Sequence, residues 1–324
     1  MFSIRLLVAS IVLAASTLLS GPIQAQTYPV KPVRIIVPSA PGGGIDASAR
    51  IVGGKLQEYW GQSVLVENRA GASMIIGAEA AMKSPADGYT LLVAHDGTMS
   101  MNPVVFRNLP YDPQKDFAPI TLISAAPLAA IVSLGTGLNS IQEMMVFARA
   151  NPTKFNHASG GTATLLALEL FNALAGTQIT SIPYKGAAPA LASVMAGETQ
   201  IAFADIASGA AALKSGKVKV LGVATLSRSR LLPESPTIAE SGVPGYETRT
   251  WFAAFAPAGT PADIVEKIGN DMRRALGEAD IRQRFQALNH EVVGSSAEEL
   301  ARTVRADTEK WSRLVRERNI RITQ

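Results

Sequence analysis

The chain has 324 residues, of which 47% are hydrophobic and 17% charged, proportions typical of a globular protein rather than a disordered or fibrous one. It contains no cysteine, which excludes disulfides, thiolate metal sites and a cysteine nucleophile. The net charge of +4 is too small an excess to indicate a nucleic-acid partner, and we expect none. At this length the chain is expected to form two domains or one large α/β unit.

The N-terminal segment, residues 1–25, has the composition of a secretory signal peptide. One basic residue, Arg5, precedes the apolar run Leu6–Leu19, and the predicted cleavage point follows Ala25. The apolar run is shorter than the ~20 residues that a membrane-spanning helix needs, although an uncleaved anchor is the alternative interpretation. We therefore expect an exported, periplasmic protein.

Along the rest of the chain, short β-branched or apolar runs alternate with segments that have a helical apolar stripe. This alternation predicts α/β architecture with mainly parallel strands. The predicted strands are Val33–Val37, Ser63–Glu67, Thr90–Ala94, Leu128–Leu134, Ile179–Ile182, Gln200–Ala204, Val218–Ala224 and Trp251–Ala256. The predicted helices are Ile45–Trp60, Ile75–Lys83, one that starts at Ser140, Ala163–Ala175, Ala188–Ala196, and two that start near Thr260 and Ser296.

Two glycine-rich loops are each expected to leave the carboxyl end of a strand and enter a helix. Glycine lets a ligand approach the backbone, and the first-turn N–H groups and the helix dipole favour an anion such as a carboxylate. One helix dipole contributes only about 0.3–1 kcal/mol, so tight binding requires donors from both loops. Equally, the loops could be ordinary turns in which Asp46 and Thr162 merely cap helices. The candidate ligand-binding residues of the loops are Ser39, Ala40, Gly42, Gly43, Asp46, Gly160, Gly161 and Thr162.

Motifs of nucleotide-binding proteins and common hydrolases are absent from the sequence. Gly42–Gly44 lacks the spacing of a dinucleotide fingerprint, and His95, His157 and His290 occur in no zinc-hydrolase motif. We therefore expect no cofactor and no metal. His95 is still a candidate site residue because it lies beside Asp96 directly after a strand, where open α/β sheets place ligands.

A series of short motifs follows in order over essentially the whole chain after the signal peptide. The motifs are Pro38–Asp46, Glu67–Ala72, Ala86–Leu91, Asn102-Pro103, Tyr111–Pro113, Pro183–Gly186, Phe203–Asp205 and Gly242–Tyr246. In this order they resemble the Bug-type extracytoplasmic solute receptors of tripartite tricarboxylate transport systems, the TctC family. The resemblance implies a two-lobed periplasmic-binding-protein (Venus-flytrap) fold, each lobe a mixed, mainly parallel sheet flanked by helices.

The resemblance also implies where the lobes divide. Residues 26–124 and 252–324 would form lobe 1, and residues 125–251 would form lobe 2. One glycine loop then lies on each lobe, and the two loops together hold a carboxylate of the ligand when the lobes close. The implied partners are the small and large membrane permease subunits of a tripartite transporter, and the receptor itself is expected to be a monomer.

Three further residues match family positions that line the cleft: Thr98, Tyr184 and Asp205. Asp205 either accepts a hydrogen bond from an amine or hydroxyl of the ligand or bonds within its own lobe, and the sequence leaves both roles open.

The chain departs from the family pattern close to the expected ligand. Ser39 occupies a position where many family members have an aromatic residue, and many members have a Thr or Pro near the position of Ile45. Ser73 and Met74 replace glycines. These departures leave the fold prediction unchanged and leave the identity of the ligand open.

The function that we expect is a receptor, not an enzyme, that captures a small carboxylate: a di- or tricarboxylate, an acidic amino acid or an aromatic acid. One alternative is an exported enzyme acting on a carboxylic acid, with His95 and either Asp96 or Asp205 as general base. The other is an interaction protein with a vestigial cleft.

Overall fold

Ten β-strands and flanking helices make up the part of the chain that the computed structural model describes, residues 28–152, 154–228 and 233–317. The predicted signal peptide, residues 1–25, lies outside the described residues. Of the N-terminal unit, residues 1–30, only Tyr28–Val30 are described, and the larger unit, which starts at Lys31, contains every strand and helix named below. No described helix is long and apolar enough to cross a membrane.

Strands and helices alternate along the chain as the apolar pattern predicts, with three short helical turns at Ala72–Met74, Gly97–Met101 and Leu134–Thr136. In chain order the elements are β1 Val33–Val37, α1 Gly44–Trp60, β2 Val64–Asn68, α2 Ile75–Met82, β3 Thr90–His95, α3 Asn102–Val105, β4 Phe117–Ser133, α4 Ile141–Ala150, β5 Asn156–Ser159, α5 Thr162–Ala175, β6 Thr180–Pro183, α6 Ala187–Ala196, β7 Ile201–Asp205, α7 Ile206–Lys214, β8 Val218–Val223, β9 Arg249–Pro257, α8 Ala262–Gly277, α9 Ala279–Ala287, β10 Glu291–Val292 and α10 Ala297–Glu317.

The sheet has the order β2-β1-β3-β9-β4-β7-β5-β6, and β8 and β10 also pair with β4. We call β1, β2, β3, β9 and β10 the first sheet region, and β5–β8 the second sheet region. β1 pairs in parallel with β2 and β3, and β5 pairs in parallel with β6 and β7. The first part of β4 pairs with β9 and its last part with β7 and β8, all antiparallel.

The long strand β4 therefore belongs to both sheet regions. The predicted lobe boundaries, at residues 124/125 and 251/252, fall inside β4 and β9, which continue through these positions. The division into two lobes at these residues stays a prediction.

The part of β4 that precedes Leu128 was not predicted as strand. It contains Pro119 and Pro127, and proline is disfavoured inside a strand because it lacks an N–H donor. The register with β9 shifts between Pro119 and Thr121 and again between Leu122 and Ser124, and these irregularities accommodate the segment. Helices α7 and α9 were also missed, since α7 is rich in small residues and α9 in charged ones.

Helix α1 shows why the sequence folds as predicted at the first loop. Its apolar stripe is buried against the sheet, with Ala49, Val52 and Leu56 fully covered, and Gly61 ends the helix in the left-handed conformation with φ 60°. Burying this stripe fixes where the helix begins, and therefore where the first glycine loop lies.

An aromatic cluster fixes the second glycine loop in the same way. Phe171 of α5, Phe203 of β7 and Tyr246 pack together with ring centroids 5.8–5.9 Å apart, and all three are buried. Tyr246 also donates its hydroxyl hydrogen to the carbonyl oxygen of Ala167, at 3.1 Å. Helix α5, which begins at the second glycine loop, and strand β7 are thus packed in one core.

Candidate ligand-binding site

The first glycine loop, Pro38–Gly43, is held in shape by the buried carboxylate of Asp46. This carboxylate accepts hydrogen bonds from Gly42 N at 3.1 Å and Asn68 Nδ2 at 2.9 Å, and it pairs with Arg50. Burial alone would raise the pKa of Asp46, but the bonds from Arg50, Asn68 and Gly42 outweigh it and hold the pKa below its usual value. Asp46 therefore stabilises the loop as an anion and does not cap α1, whose N-cap residue is Gly43.

The second glycine loop, Ser159–Gly161, is braced by hydroxyl groups. Gly160 N donates to Thr164 Oγ1 at 3.0 Å, and the hydroxyl of Ser159 donates to the carbonyl oxygen of Gly161 at 2.9 Å. Thr162 donates its hydroxyl hydrogen to Asn102 Oδ1 rather than capping α5. The side chains of both loops thus leave the first main-chain N–H groups of the helices uncapped.

The two helix N-termini approach one another across a cleft between the sheet regions. Gly44 N donates to Ser208 Oγ at 2.9 Å, and Ala40 N donates to the carbonyl oxygen of Lys185 at 3.2 Å. These bonds connect the loop after β1, and the start of α1, with Lys185 and Ser208, which follow β6 and β7 of the second sheet region. The cleft is therefore closed over the space between the loops.

That space, which we call the inner cavity, has a volume of about 40 Å³, enough for a few water molecules. Several of the residues that line it have main-chain N–H groups without a hydrogen-bond partner among the described residues, including Gly43 and Ile45 at α1, and Ala163 and Thr164 at α5. Helix N-termini from different parts of the sheet thus border one small volume, an arrangement that favours an anion.

A larger outer cavity, of about 230 Å³, adjoins the inner one. Its lining includes Gly71–Met74, Tyr184 and Lys185. Met74, Gly160 and Gly161 line both cavities.

His95 enters the inner cavity as a neutral ring. It is 8% exposed, and burial lowers its pKa to about 4. Thr98 N donates to His95 Nδ1 at 3.3 Å, which places the proton of the neutral ring on Nε2. His95 can therefore offer one neutral donor to a ligand, whereas Thr98 is completely buried and lines neither cavity.

Asp205 contributes a negative charge to the inner cavity. Its carboxylate accepts hydrogen bonds from Ser208 Oγ at 2.7 Å and Ser208 N at 3.0 Å, and His290 Nε2 lies 3.4 Å from Oδ1. Burial alone would raise the pKa of Asp205, but the bonds from His290 and Ser208 hold it below its usual value. Of the two roles that the sequence left open, the structure contains the local one, in which Asp205 caps α7 through Ser208.

The predicted site residues divide into three groups. Ser39, Gly43, His95 and Asp205 line the inner cavity, Tyr184 lines the outer one, and Gly160 and Gly161 line both. The remaining five line neither cavity and support the loops or Met74 instead: Ala40, Gly42, Asp46, Thr98 and Thr162. Direct contact of any of the twelve with a ligand stays a prediction.

Several lining residues were not predicted as site residues. Ser208 had a local signal, because it follows Asp205 by three residues, the spacing of a helix cap. Thr250 and Phe252 had none, since β9 reaches the cavity only through its pairing with β3 and β4. Met74 stands out in the sequence as a departure from the family pattern, but nothing there indicates that it forms a wall of the cavity.

The fold is that of a two-lobed periplasmic binding protein. It has mixed α/β sheets with flanking helices, and it encloses a space between two junctions of a loop and a helix. The structure is similar to that of the periplasmic binding protein BugD, at 31% identity and a TM-score of 0.86, covering 90% of this chain and 99% of BugD. It is also similar to Rpa4515 of R. palustris with adipate (33% identity, TM-score 0.88, coverage 90% and 99%). A third similar structure is MatC of Rhodopseudomonas palustris with bound malate (30% identity, TM-score 0.85, coverage 89% and 100%).

The chain belongs to the tripartite tricarboxylate transporter family of receptors, whose family model matches residues 48–320. Among curated relatives, it is 32% identical over 319 residues to the protein BugT of Bordetella pertussis, covering 97% of each chain. The family resemblance, the fold class and the solute-receptor function expected from the sequence are thereby confirmed.

Proposed function

We propose that this protein is an exported periplasmic receptor that captures a small carboxylate and passes it unchanged to the small and large membrane subunits of a tripartite transporter. The observation that carries the proposal is the inner cavity, whose lining includes Gly43, Ile45, Ala163 and Thr164 at two helix N-termini, with main-chain N–H groups that have no hydrogen-bond partner among the described residues. The signal-peptide composition of residues 1–25 supports export.

A carboxylate suits this cavity better than a larger or neutral group. A hydrogen bond to a charged acceptor contributes about 1.5–3 kcal/mol, and each helix dipole adds roughly 0.3–1 kcal/mol. The volume of about 40 Å³ matches a single carboxylate head rather than a whole multi-carbon acid. The similar proteins with adipate and malate, both carboxylates, support the same ligand class.

The charges around the cleft indicate how the rest of the ligand is oriented. No lysine or arginine is among the described residues that line the inner cavity, and the Asp205 carboxylate is already there, so only the N–H donors at the helix N-termini offset the charge of a bound carboxylate, and a second ligand carboxylate is disfavoured. Lys185 lines the outer cavity. We therefore place one carboxylate in the inner cavity, with the ligand body, and any second carboxylate, in the outer cavity.

The test is a thermal-shift screen of the purified protein, without residues 1–25, against mono-, di- and tricarboxylates, acidic amino acids and aromatic acids, followed by titration calorimetry. Binding to the folded state alone adds about 2.7 kcal/mol of stability at a hundredfold excess over Kd, which gives a clear increase in Tm. We expect this increase for carboxylates and not for their amides. Absence of any shift with the acids would refute the proposal.

Two further measurements test the remaining parts of the proposal. N-terminal sequencing of the protein recovered from the periplasm is expected to begin near Gln26. Incubation with the bound acid is expected to yield no product, and turnover would refute the receptor function in favour of an exported enzyme.

A further inference from the structure

The inner and outer cavities adjoin at Met74 and at two glycines of the second loop. Three of the described residues line both cavities, and two of them, Gly160 and Gly161, have no side chain. Among the described residues, Met74 is therefore the only one with a side chain that borders both volumes. Its terminal methyl group lies so close to Gly161 that a Cβ built there would be 3.3 Å from it.

The backbone of Met74 is fixed in an unfavourable conformation. Ala72, Ser73 and Met74 have φ values of 46°, 50° and 72°, a left-handed run that residues with a Cβ rarely adopt unless their surroundings impose it. Asn102 imposes it: its Nδ2 donates to the carbonyl oxygen of Ser73 at 3.1 Å, and its Oδ1 accepts from Thr162. The turn is thus attached to the start of α5, so Met74 keeps its position beside the second glycine loop.

The side chain of Met74 is buried, at 6% exposed, but no strong polar contact fixes its rotamer. Its one polar contact within the described part of the chain is the hydroxyl of Thr98, 3.5 Å from Sδ. Methionine is unbranched, with three rotatable bonds, and adapts its shape more easily than other apolar residues. Glycine would adopt φ 72° without strain, so the methionine at this position carries a backbone strain that glycine would avoid.

We propose that Met74 determines ligand specificity by narrowing the passage between the two cavities, so that the receptor selects acids that are unbranched next to the carboxylate. This inference rests on the proposed function, in which the carboxylate lies in the inner cavity and the body in the outer one. The chain of the ligand must then pass between the Met74 side chain and the glycines 160 and 161. A slender methylene chain passes when Met74 rotates slightly, whereas a ring or branch on the first carbon collides with it.

The test compares straight-chain acids with acids that carry a ring at the carboxylate, in the wild type and in variants of Met74. The straight-chain probes are hexanoate and adipate, and the ring-bearing probes are benzoate and cyclohexanecarboxylate, each titrated by calorimetry. We expect the wild type to prefer the straight-chain probes. In Met74→Gly and Met74→Ala the ratio of the two affinities should move toward the ring-bearing acids by at least about tenfold, the size of one relieved steric conflict.

Two controls separate the size of the side chain from the effect of mutating a methionine. Met74→Leu keeps a bulky side chain and is expected to keep the wild-type preference. Met195→Ala removes a partly buried methionine of α6 that lines neither cavity, and is expected to leave every affinity unchanged.

The two proposals fail in different ways. A wild type that binds straight-chain acids, with the same affinity ratio in Met74→Gly and Met74→Ala, would overturn the role of Met74 and leave the carboxylate receptor standing. A wild type that prefers the ring-bearing acids would also overturn it. Failure of the wild type and the variants to bind any carboxylate would refute the proposed function and this inference with it.

Discussion

Gly44 is the position where the smallest change should prevent closure of the cleft. It is the first residue of α1, and a Cβ built on it would lie 2.6 Å from Asp205 Oδ1 on the opposite side. Asp205 cannot easily turn away, because it is bonded to Ser208 and adjoins His290. In Gly44→Ala the two sides must therefore separate at this point.

The expected cost follows from these contacts. The overlap between the new Cβ and the Asp205 carboxylate costs about 1–3 kcal/mol, whether the contact stays strained or the two sides separate. Separation also removes the hydrogen bond from Gly44 N to Ser208 Oγ, which contributes about 0.5–1.5 kcal/mol. Because about 1.4 kcal/mol corresponds to tenfold in affinity, we expect Kd for the acid that binds best in the screen to rise about tenfold or more. The fold should be preserved, since alanine is the best helix former.

The assay is titration calorimetry on Gly44→Ala and on Gly54→Ala, a matched control in the same helix. A Cβ on Gly54 meets nothing within 4 Å, so this change should add up to about 1 kcal/mol of stability and leave Kd unchanged. Small-angle scattering with saturating ligand should show that Gly44→Ala is less compact than the wild type. Equal affinity of Gly44→Ala and the wild type would refute the reasoning that binding requires this close approach.

Two further predictions concern buried carboxylates. Burial raises the pKa of Asp96 to about 7 although Thr250 donates to it at 2.7 Å, so the folded state retains a proton that the unfolded chain releases near pH 4. The free energy of unfolding should therefore fall as the pH rises from about 4 to about 7, by on the order of 2–4 kcal/mol. Urea unfolding of Asp96→Asn should show that this pH dependence is lost. The same dependence of the unfolding free energy on pH in both proteins would contradict this role of Asp96. Asp46→Ala should leave Gly42 N and Asn68 without their acceptor and cost about 1–3 kcal/mol in the same assay, together with weaker ligand binding, whereas wild-type affinity would show that the loop does not depend on Asp46.

The elements that sequence reasoning found are those with a local signal. The stripe of α1 ends at Gly61 as predicted, and Ser296 and Glu299 form the expected capping box at α10, with bonds of 2.8 and 3.1 Å. The two glycine loops were recognised in the same way, because a run of glycines before a helix can be identified from the local sequence alone.

The parts that sequence reasoning missed depend on contacts between distant segments. The first part of β4 contains prolines and is strand because the distant strands β9 and β10 pair with it. Phe252 and Thr250 reach the inner cavity through the same pairing, and Met74 reaches it through a left-handed turn that its sequence, without glycine at that position, does not predict. Local pattern therefore identified the two glycine loops, while the other walls of the inner cavity came from tertiary structure.

Strand β4 has a mechanical consequence for the whole receptor. Its seventeen residues carry hydrogen bonds to β9 at one end and to β7 and β8 at the other, so the two sheet regions are connected by a continuous ladder rather than by a slack linker alone. We expect any opening to bend this ladder, whose register is irregular at three places: between Pro119 and Thr121, between Leu122 and Ser124, and between Ala130 and Ile131. Bending a hydrogen-bonded ladder generates a restoring force. We therefore expect the amplitude of opening to be limited, and the cleft to return elastically toward the closed arrangement after the ligand enters or leaves.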